Sequence, residues 1–241
     1  MIPKIIHYCW FGGNPLPASV RKCIKSWKKF FPDYEIKEWN ESNFDVNMMT
    51  FTKEAYSVKK YAFVSDVARF HILYSEGGLY FDTDVEVVSS FNDILAHGAY
   101  MGVEVPSIGG IVPAVNPGLG LAAESGNKVL QSVLDHYLTQ HFLDEKGQQI
   151  QGTVVSHTTE VLAKEYGLQP NNEIQFLDGM TIYPQDYFNP FDDNTGVLNK
   201  TKNTRSIHWY SKTWIDKPMW YFRITRIIHR FWGVNALARF R

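Results

Sequence analysis

An apolar run, an amphipathic helical pattern and an alternating segment follow one another within the first 40 residues, and this order constrains the fold more than any other feature of the chain. Lys4 to Trp10 is a short apolar run that stops at Gly12-Gly13, as a buried strand ending in a turn would. Pro17 opens a helix. Across Ser19 to Phe31 the apolar Val20, Ile24, Trp27 and Phe31 recur at helical spacing, Lys and Arg fill the other face, and Pro32-Asp33 ends the pattern. Tyr34 to Trp39 alternates like a strand. Strand, helix and strand so closely joined form a βαβ unit, so the expected class is α/β.

A helix is expected from Ser57 to Glu76, apolar on nearly every side and therefore buried, with Gly77-Gly78 closing it. Leu79-Tyr80-Phe81 resumes as a strand and runs into Asp82-Thr83-Asp84, after which Val85, Val87 and Val88 continue extended. Gly98 to Gly120, rich in Gly and Pro, reads as strands and loops around a site. Lys128 to Phe142 and Ser156 to Tyr166 read as amphipathic helices, and Tyr183 to Phe191 as a packed loop. With no repeat and no low-complexity linker, residues 1–216 are expected to form one domain, followed by an appendage over 217–241.

Several classes are excluded by composition. At 44% hydrophobic and 15% aromatic the chain is neither disordered nor collagen-like. Cys9 and Cys23 cannot build a disulfide framework, so a reducing compartment is expected. The segment Met1 to His7 reads as a strand rather than a signal peptide, and no window approaches the ~18 apolar residues of a membrane span.

Chemistry concentrates in three places. In an extended strand, period two would set Asp82 and Asp84 on one side with Thr83 opposite. Two hard oxygen ligands suit Mn²⁺ or Mg²⁺, usually completed by nucleotide phosphates, and a buried strand end makes unpaired carboxylates costly. Asp66 and Arg69, three residues apart on an otherwise apolar helix, are either an ion pair or a guanidinium fork for diphosphate or sugar hydroxyls. Ile207 to Trp214 gathers His208, Ser211 and two Trp into eight residues, and His208 is a candidate third metal ligand. Gly118-Leu119-Gly120-Leu121-Ala122-Ala123 matches a dinucleotide-binding fingerprint, but Pro113 and Pro117 interrupt the strand it needs and position 140 is Gln, so a loop lining a pocket is the better reading.

Three blocks, Ile2 to Gly13, Ser65 to Arg69 and Gly77 to Asp84, with Tyr183 to Phe188 and the His-Trp block behind them, resemble glycosyltransferase family 32. That group holds bacterial capsular polysaccharide transferases and yeast initiating mannosyltransferases and is related to glucosylating bacterial toxins. The resemblance implies a GT-A fold: a Rossmann-like nucleotide half merged with an acceptor half on a mixed sheet. It implies a retaining, metal-dependent hexose transfer from a nucleotide diphosphate sugar, UDP favoured, to a saccharide or lipid-linked saccharide in capsular or surface polysaccharide synthesis. By the same resemblance Trp10 stacks on the base, Asp66 and Arg69 hold the donor sugar, Asp82 and Asp84 serve ribose and metal, and His208, Ser211 and Trp214 close over the diphosphate. Ile207 and Tyr210 depart from the family's paired His and small residue. Alternative readings are a nucleotide-sugar hydrolase or nucleotidyltransferase, or a non-catalytic saccharide-binding module.

The formal charge of −1 is an average of unlike parts. Residues 217–241 hold six basic and no acidic residues, which leaves −7 for the rest. On a helical wheel Trp220, Ile224, Ile227, Ile228 and Phe231 share a face beside a stripe of Arg223, Arg226 and Arg230. One reading docks the apolar face on the domain with Arg in water. The preferred one is attachment to an anionic membrane face, placing the protein in the cytoplasm, peripheral on the inner face of the membrane. No nucleic-acid partner is expected.

Overall fold

In the computed structural model, which describes residues 1–150, 152–211 and 219–233, the opening βαβ unit is present. β1 (Ile5–Cys9) leads into α1 (Ala18–Phe30), and β2 (Glu35–Trp39) returns parallel to β1, Ile6 opposite Ile36 and Cys9 opposite Trp39. The helix expected over 57–76 begins four residues later, at Tyr61, and a separate helix not expected from the sequence precedes it. α2 (Thr50–Ser57) ends where Lys59 turns to φ +60° and its successor Lys60 donates back to the Ala55 carbonyl at 2.9 Å, a 6→1 bond that closes the helix. α3 (Tyr61–Glu76) then starts afresh, buried on most sides, and stops at Gly77, whose φ of +68° an L side chain would resist.

β3 (Gly78–Tyr80) lies parallel to β1, and β4 (Val85–Val87) leaves the main sheet. After α4 (Asn92–Ala96) come β5 (Tyr100–Val105), β6 (Ala114–Asn116), a short 3₁₀ turn at Pro117–Leu119 and β7 (Leu121–Ala123). α5 (Lys128–Leu138) and α6 (Val154–Glu165) follow, capped by Asn127 and Thr153 side chains. β8 (Gln175–Leu177) and β9 (Met180–Tyr183) form a hairpin around Asp178-Gly179, with α7 (Gln185–Phe188) inside the expected packed loop. β10 (Ser206–His208) pairs antiparallel with β4. The main sheet runs β2-β1-β3-β7-β5-β9-β8 with β6 on β5, and mixes parallel and antiparallel pairs.

Apolar layers cover both faces. Ile6 and Tyr8 of β1 meet Trp27 and Phe31, whereas Cys9 on the opposite face joins the layer of α2, α3, α5 and α6. Trp27 is fully buried and its indole N–H donates to the Val85 carbonyl at 2.8 Å, tying α1 to β4. Cys9 and Cys23 are free buried thiols, each pushed up to about 12 by burial.

α8 (Met219–Trp232) reverses the docked arrangement weighed from the sequence. Two of its three stripe arginines engage the protein while Arg223 is exposed: Arg226 pairs with the Asp193 carboxylate at 2.5 Å and donates to the Asp193 carbonyl, and Arg230 donates to the Thr195 and Gly196 carbonyls. The side chains of Trp220, Ile224, Ile227 and Phe231 are exposed. Among the described residues no helix is long and apolar enough to cross a membrane.

His7 is fully buried beneath the sheet edge, with Trp39 Nε1 donating to its Nδ1 and its own Nε2 donating to the Gly77 carbonyl, both at 3.0 Å. That pairing fixes the neutral Nε2–H tautomer, and burial holds its pKa below the ordinary 6.5. Below pH ~6.5 the unfolded chain therefore binds a proton that the folded chain refuses, and stability falls by up to ~1.4 kcal/mol per pH unit for this group. His71 and His157, also lowered by burial, act with the same sign. Asp66 and Asp82, whose carboxyls burial raises, act with the opposite sign, so the His7 contribution is read as a difference: His7→Gln, less stable at neutral pH, should lose less of its urea midpoint than wild type as pH falls from neutrality toward ~5.

Candidate active site

At the carboxyl ends of β1 and β3 the chain leaves the sheet, and here the acidic triplet sits. Asp82-Thr83-Asp84 is not an extended strand. The Val85 N–H bonds to the Asp82 carbonyl at 3.0 Å and closes a turn, so the side chains no longer alternate and the two carboxylates diverge. This corrects the expectation that both point to one side.

Asp82 turns toward α3. Its Oδ1 lies 3.1 Å from Arg69 Nη2 and accepts from the Tyr80 hydroxyl at 3.2 Å. Arg69 Nη2 also reaches Asp66 Oδ1 at 2.8 Å, Nε donates to the Ser65 carbonyl, and the guanidinium lies over the Tyr80 ring at 5.0 Å. Arg69 is only 3% exposed, yet among the described residues its Nη1 has no hydrogen-bond partner. Burial raises the Asp66 carboxyl to about 7, against the pull of Arg69, and raises that of Asp82 in the same way. The ion pair and the donor-binding fork foreseen for Asp66 and Arg69 thus share one geometry: the pair uses Nη2 and leaves Nη1 over.

Asp84 turns the other way. Its Oδ1 meets His208 Nε2 at 3.0 Å, and its Oδ2 accepts from the Ser211 N–H at 2.7 Å and the Ser211 hydroxyl at 2.9 Å. Burial alone would lift this carboxyl; the His208 charge and the Ser211 donors reverse that and hold it well below the usual range. Burial would likewise depress His208, but the adjacent Asp84 raises it to about 9, so the imidazole is protonated at neutral pH with Nδ1 unpartnered among the described residues. Among those residues no three His, Cys, Asp or Glu side chains converge as a ready metal cage, because His208 engages Asp84 rather than a point shared with Asp82.

Trp10 follows β1 at the same sheet edge, half-buried, its ring N–H donating to the Asn14 carbonyl at 2.6 Å. Trp214 lies outside the described residues.

Tyr80 and Glu104 went unread in the sequence, and Gly118 was read only as part of a pocket-lining loop. Tyr80 shares the face of Asp82 by period two, a signal that was present. Gly118, inside the fingerprint-like run, packs bare against the acidic turn: its carbonyl accepts from the Asp82 N–H at 3.1 Å, and a Cβ there would overlap Asp82 Oδ2 and come within 2.9 Å of Arg69 Nη1. Glu104 accepts from Tyr210 and Asn116 at 3.1 Å each, forming a polar wall beside His208 that only the tertiary fold assembles.

Residues 17–101 match the family described as the glycosyltransferase sugar-binding region containing the DXD motif. The match covers 85 of the 241 residues. An uncharacterized glycosyltransferase of Acanthamoeba polyphaga mimivirus is 25% identical over 207 residues, 78% of this chain and 76% of that protein. Inositol phosphoceramide mannosyltransferase 3 of Schizosaccharomyces pombe is 30% identical over 114 residues, 44% of this chain; the match spans only 31% of the yeast protein. Among solved structures, the PaToxG glycosyltransferase aligns with TM-score 0.51 at 20% identity, over 68% of this chain and 70% of that one. The galactosyltransferase LgtC, solved with donor and acceptor sugar analogs, aligns with TM-score 0.50 at 13% identity, over 86% and 87%. The fold is GT-A.

Gly118→Ala should leave the far-UV circular dichroism unchanged while forcing Asp82 off Arg69, at a cost of about 1–3 kcal/mol in urea unfolding. It should weaken binding of a nucleotide diphosphate sugar by more than about tenfold in calorimetry. Unchanged affinity would remove this loop from the donor pocket.

Proposed function

We propose that this chain is a metal-dependent glycosyltransferase that moves a hexose, with retention of anomeric configuration, from a nucleotide diphosphate sugar to a saccharide or lipid-linked saccharide acceptor. UDP is the favoured base carrier, and bacterial capsular or surface polysaccharide assembly at the cytoplasmic face is the setting that fits such an acceptor. What supports the reading is that two buried orphan donors, Arg69 Nη1 and His208 Nδ1, flank the turn carrying Asp82 and Asp84. A fold that leaves two N–H groups of buried cations unpaired loses ~1–3 kcal/mol for each unless an anionic or hydroxylic ligand takes them.

The residues also suit a divalent ion. Asp84 and Ser211 offer hard oxygen atoms with Asp82 beside them, a set short enough to leave coordination positions for diphosphate oxygens, as Mn²⁺ or Mg²⁺ prefers. When bound, the ion would act as a Lewis acid toward the diphosphate that departs. The chain does the rest. Arg69, held charged between Asp66 and Asp82, offers Nη1 to the donor sugar or phosphate; the bare Gly118 leaves room for Asp82 and Arg69 to lie against its backbone; and Trp10 offers a flat face at the same edge for the base. Asp82 and Asp84 are paired to cations, and Asp66, though burial raises it to about 7, is turned to Arg69. Retention fits this, with a leaving-phosphate oxygen taking the acceptor proton.

Thermal-shift measurements with Mn²⁺ and a panel of UDP- and GDP-hexoses should find one that stabilises the protein. At a hundredfold excess over Kd the gain is about 2.7 kcal/mol, a Tm rise of roughly 5–10 °C. Asp84→Asn should stay folded and abolish both the shift and transfer, and NMR of the product should show the donor's anomeric configuration. Transfer surviving in Asp84→Asn, or an inverted product, would overturn the metal role or the retention respectively; free sugar as the sole product would favour a hydrolase.

A further inference from the structure

An amphipathic helix on a globular protein ordinarily buries its apolar stripe and shows its charges to water. α8 does the opposite. Arg226 and Arg230 are turned inward, spending their donors on the 193–196 loop, and His229 Nδ1 lies 3.2 Å from the Asn194 carbonyl. The outer face carries Trp220, Ile224 and Ile227, spaced four and three residues apart on one stripe and 63%, 49% and 53% exposed. The helix docks through Phe222 and the Arg226 side, and these three side chains remain largely in solvent.

We propose that this stripe enters the headgroup layer of an anionic bilayer and that α8 is an in-plane anchor, an inference that stands apart from the donor chemistry. The charge beside the stripe selects the occupant. Arg223, adjoining Ile224 and Ile227 on the helical wheel, is exposed on α8, and in sequence 217–241 holds six basic and no acidic residues. A second copy seated on the same face would bring like charges together, which repels; lipid phosphates attract. Trp220 and Tyr221 supply rings with one polar tip, the kind that settle at an interface.

The anchor is also coupled to the site. Arg226 lies over the Phe191 ring at 5.1 Å, Phe191 packs on Trp209 at 5.4 Å, and the Trp209 N–H donates to the Asp84 carbonyl at 3.0 Å. A bilayer that holds α8 thus sets how the acidic turn faces the membrane.

Flotation of the full chain with phosphatidylcholine vesicles, with and without phosphatidylglycerol, tests this. The protein should float only with the anionic vesicles. Ile224→Glu combined with Ile227→Glu should lower that binding by about tenfold or more, and Arg223→Glu by roughly fivefold, with circular dichroism and solution hydrolysis of the donor unchanged. Equal binding by wild type and the double variant would overturn the proposal. So would a wild-type dimer in ultracentrifugation that the double variant abolishes, without vesicle binding, because the stripe would then belong to a second copy.

Discussion

A permanent cation in a protein core has to be answered by anions or by ligand, and Arg69 imposes that condition on everything near it. Its guanidinium sits between a carboxylate of its own helix and one on the turn after β3, so the buried helix and the sheet edge are held in one relation. Tyr80 backs the guanidinium and the bare Gly118 lies against it, so the remaining N–H is enclosed beside the turn. The charge is thus a fixed feature of the fold.

Asp84 does the complementary work for the far end of the chain. Paired to His208 and Ser211, it reinforces the β4–β10 ladder at the end where the 206–211 block meets the acidic turn. The two halves of the acidic turn are therefore two separate joints, one to α3 and one to β10. They interact electrostatically through the short span between them, burial raising Asp82 while its neighbour is held ionised.

Much of the scaffold is legible in the sequence where periodicity is strong. β1, α1 and α3 bury continuous stripes, β2 alternates, and all four could be read with nearly correct ends. α2 was hidden because it buries only Phe51, Thr52 and Ala55 and is cut from α3 by a left-handed Lys59 that no residue type announces. The Asp178-Gly179 hairpin had its turn signal, but strands of three and four residues leave little alternation to confirm it. At the site, Asp66 and Arg69 were legible as a pair from their spacing, whereas the divergence of Asp82 and Asp84 arises from one backbone hydrogen bond that side-chain pattern does not encode. The orientation of α8 was hidden for a similar reason. A helical wheel shows two faces; which one docks was decided by loop carbonyls at 193–196.

The antiparallel seam between β4 and β10 pairs residues 119 to 123 positions apart, and Ser211 reaches Asp84 across 127. A nascent chain on the ribosome can complete the βαβ unit and the Arg69 cluster early, but its second joint has no partner until His208 and Ser211 have been synthesised and released from the exit tunnel. The order of synthesis thus keeps Asp84 unclosed while the body of the domain is already forming.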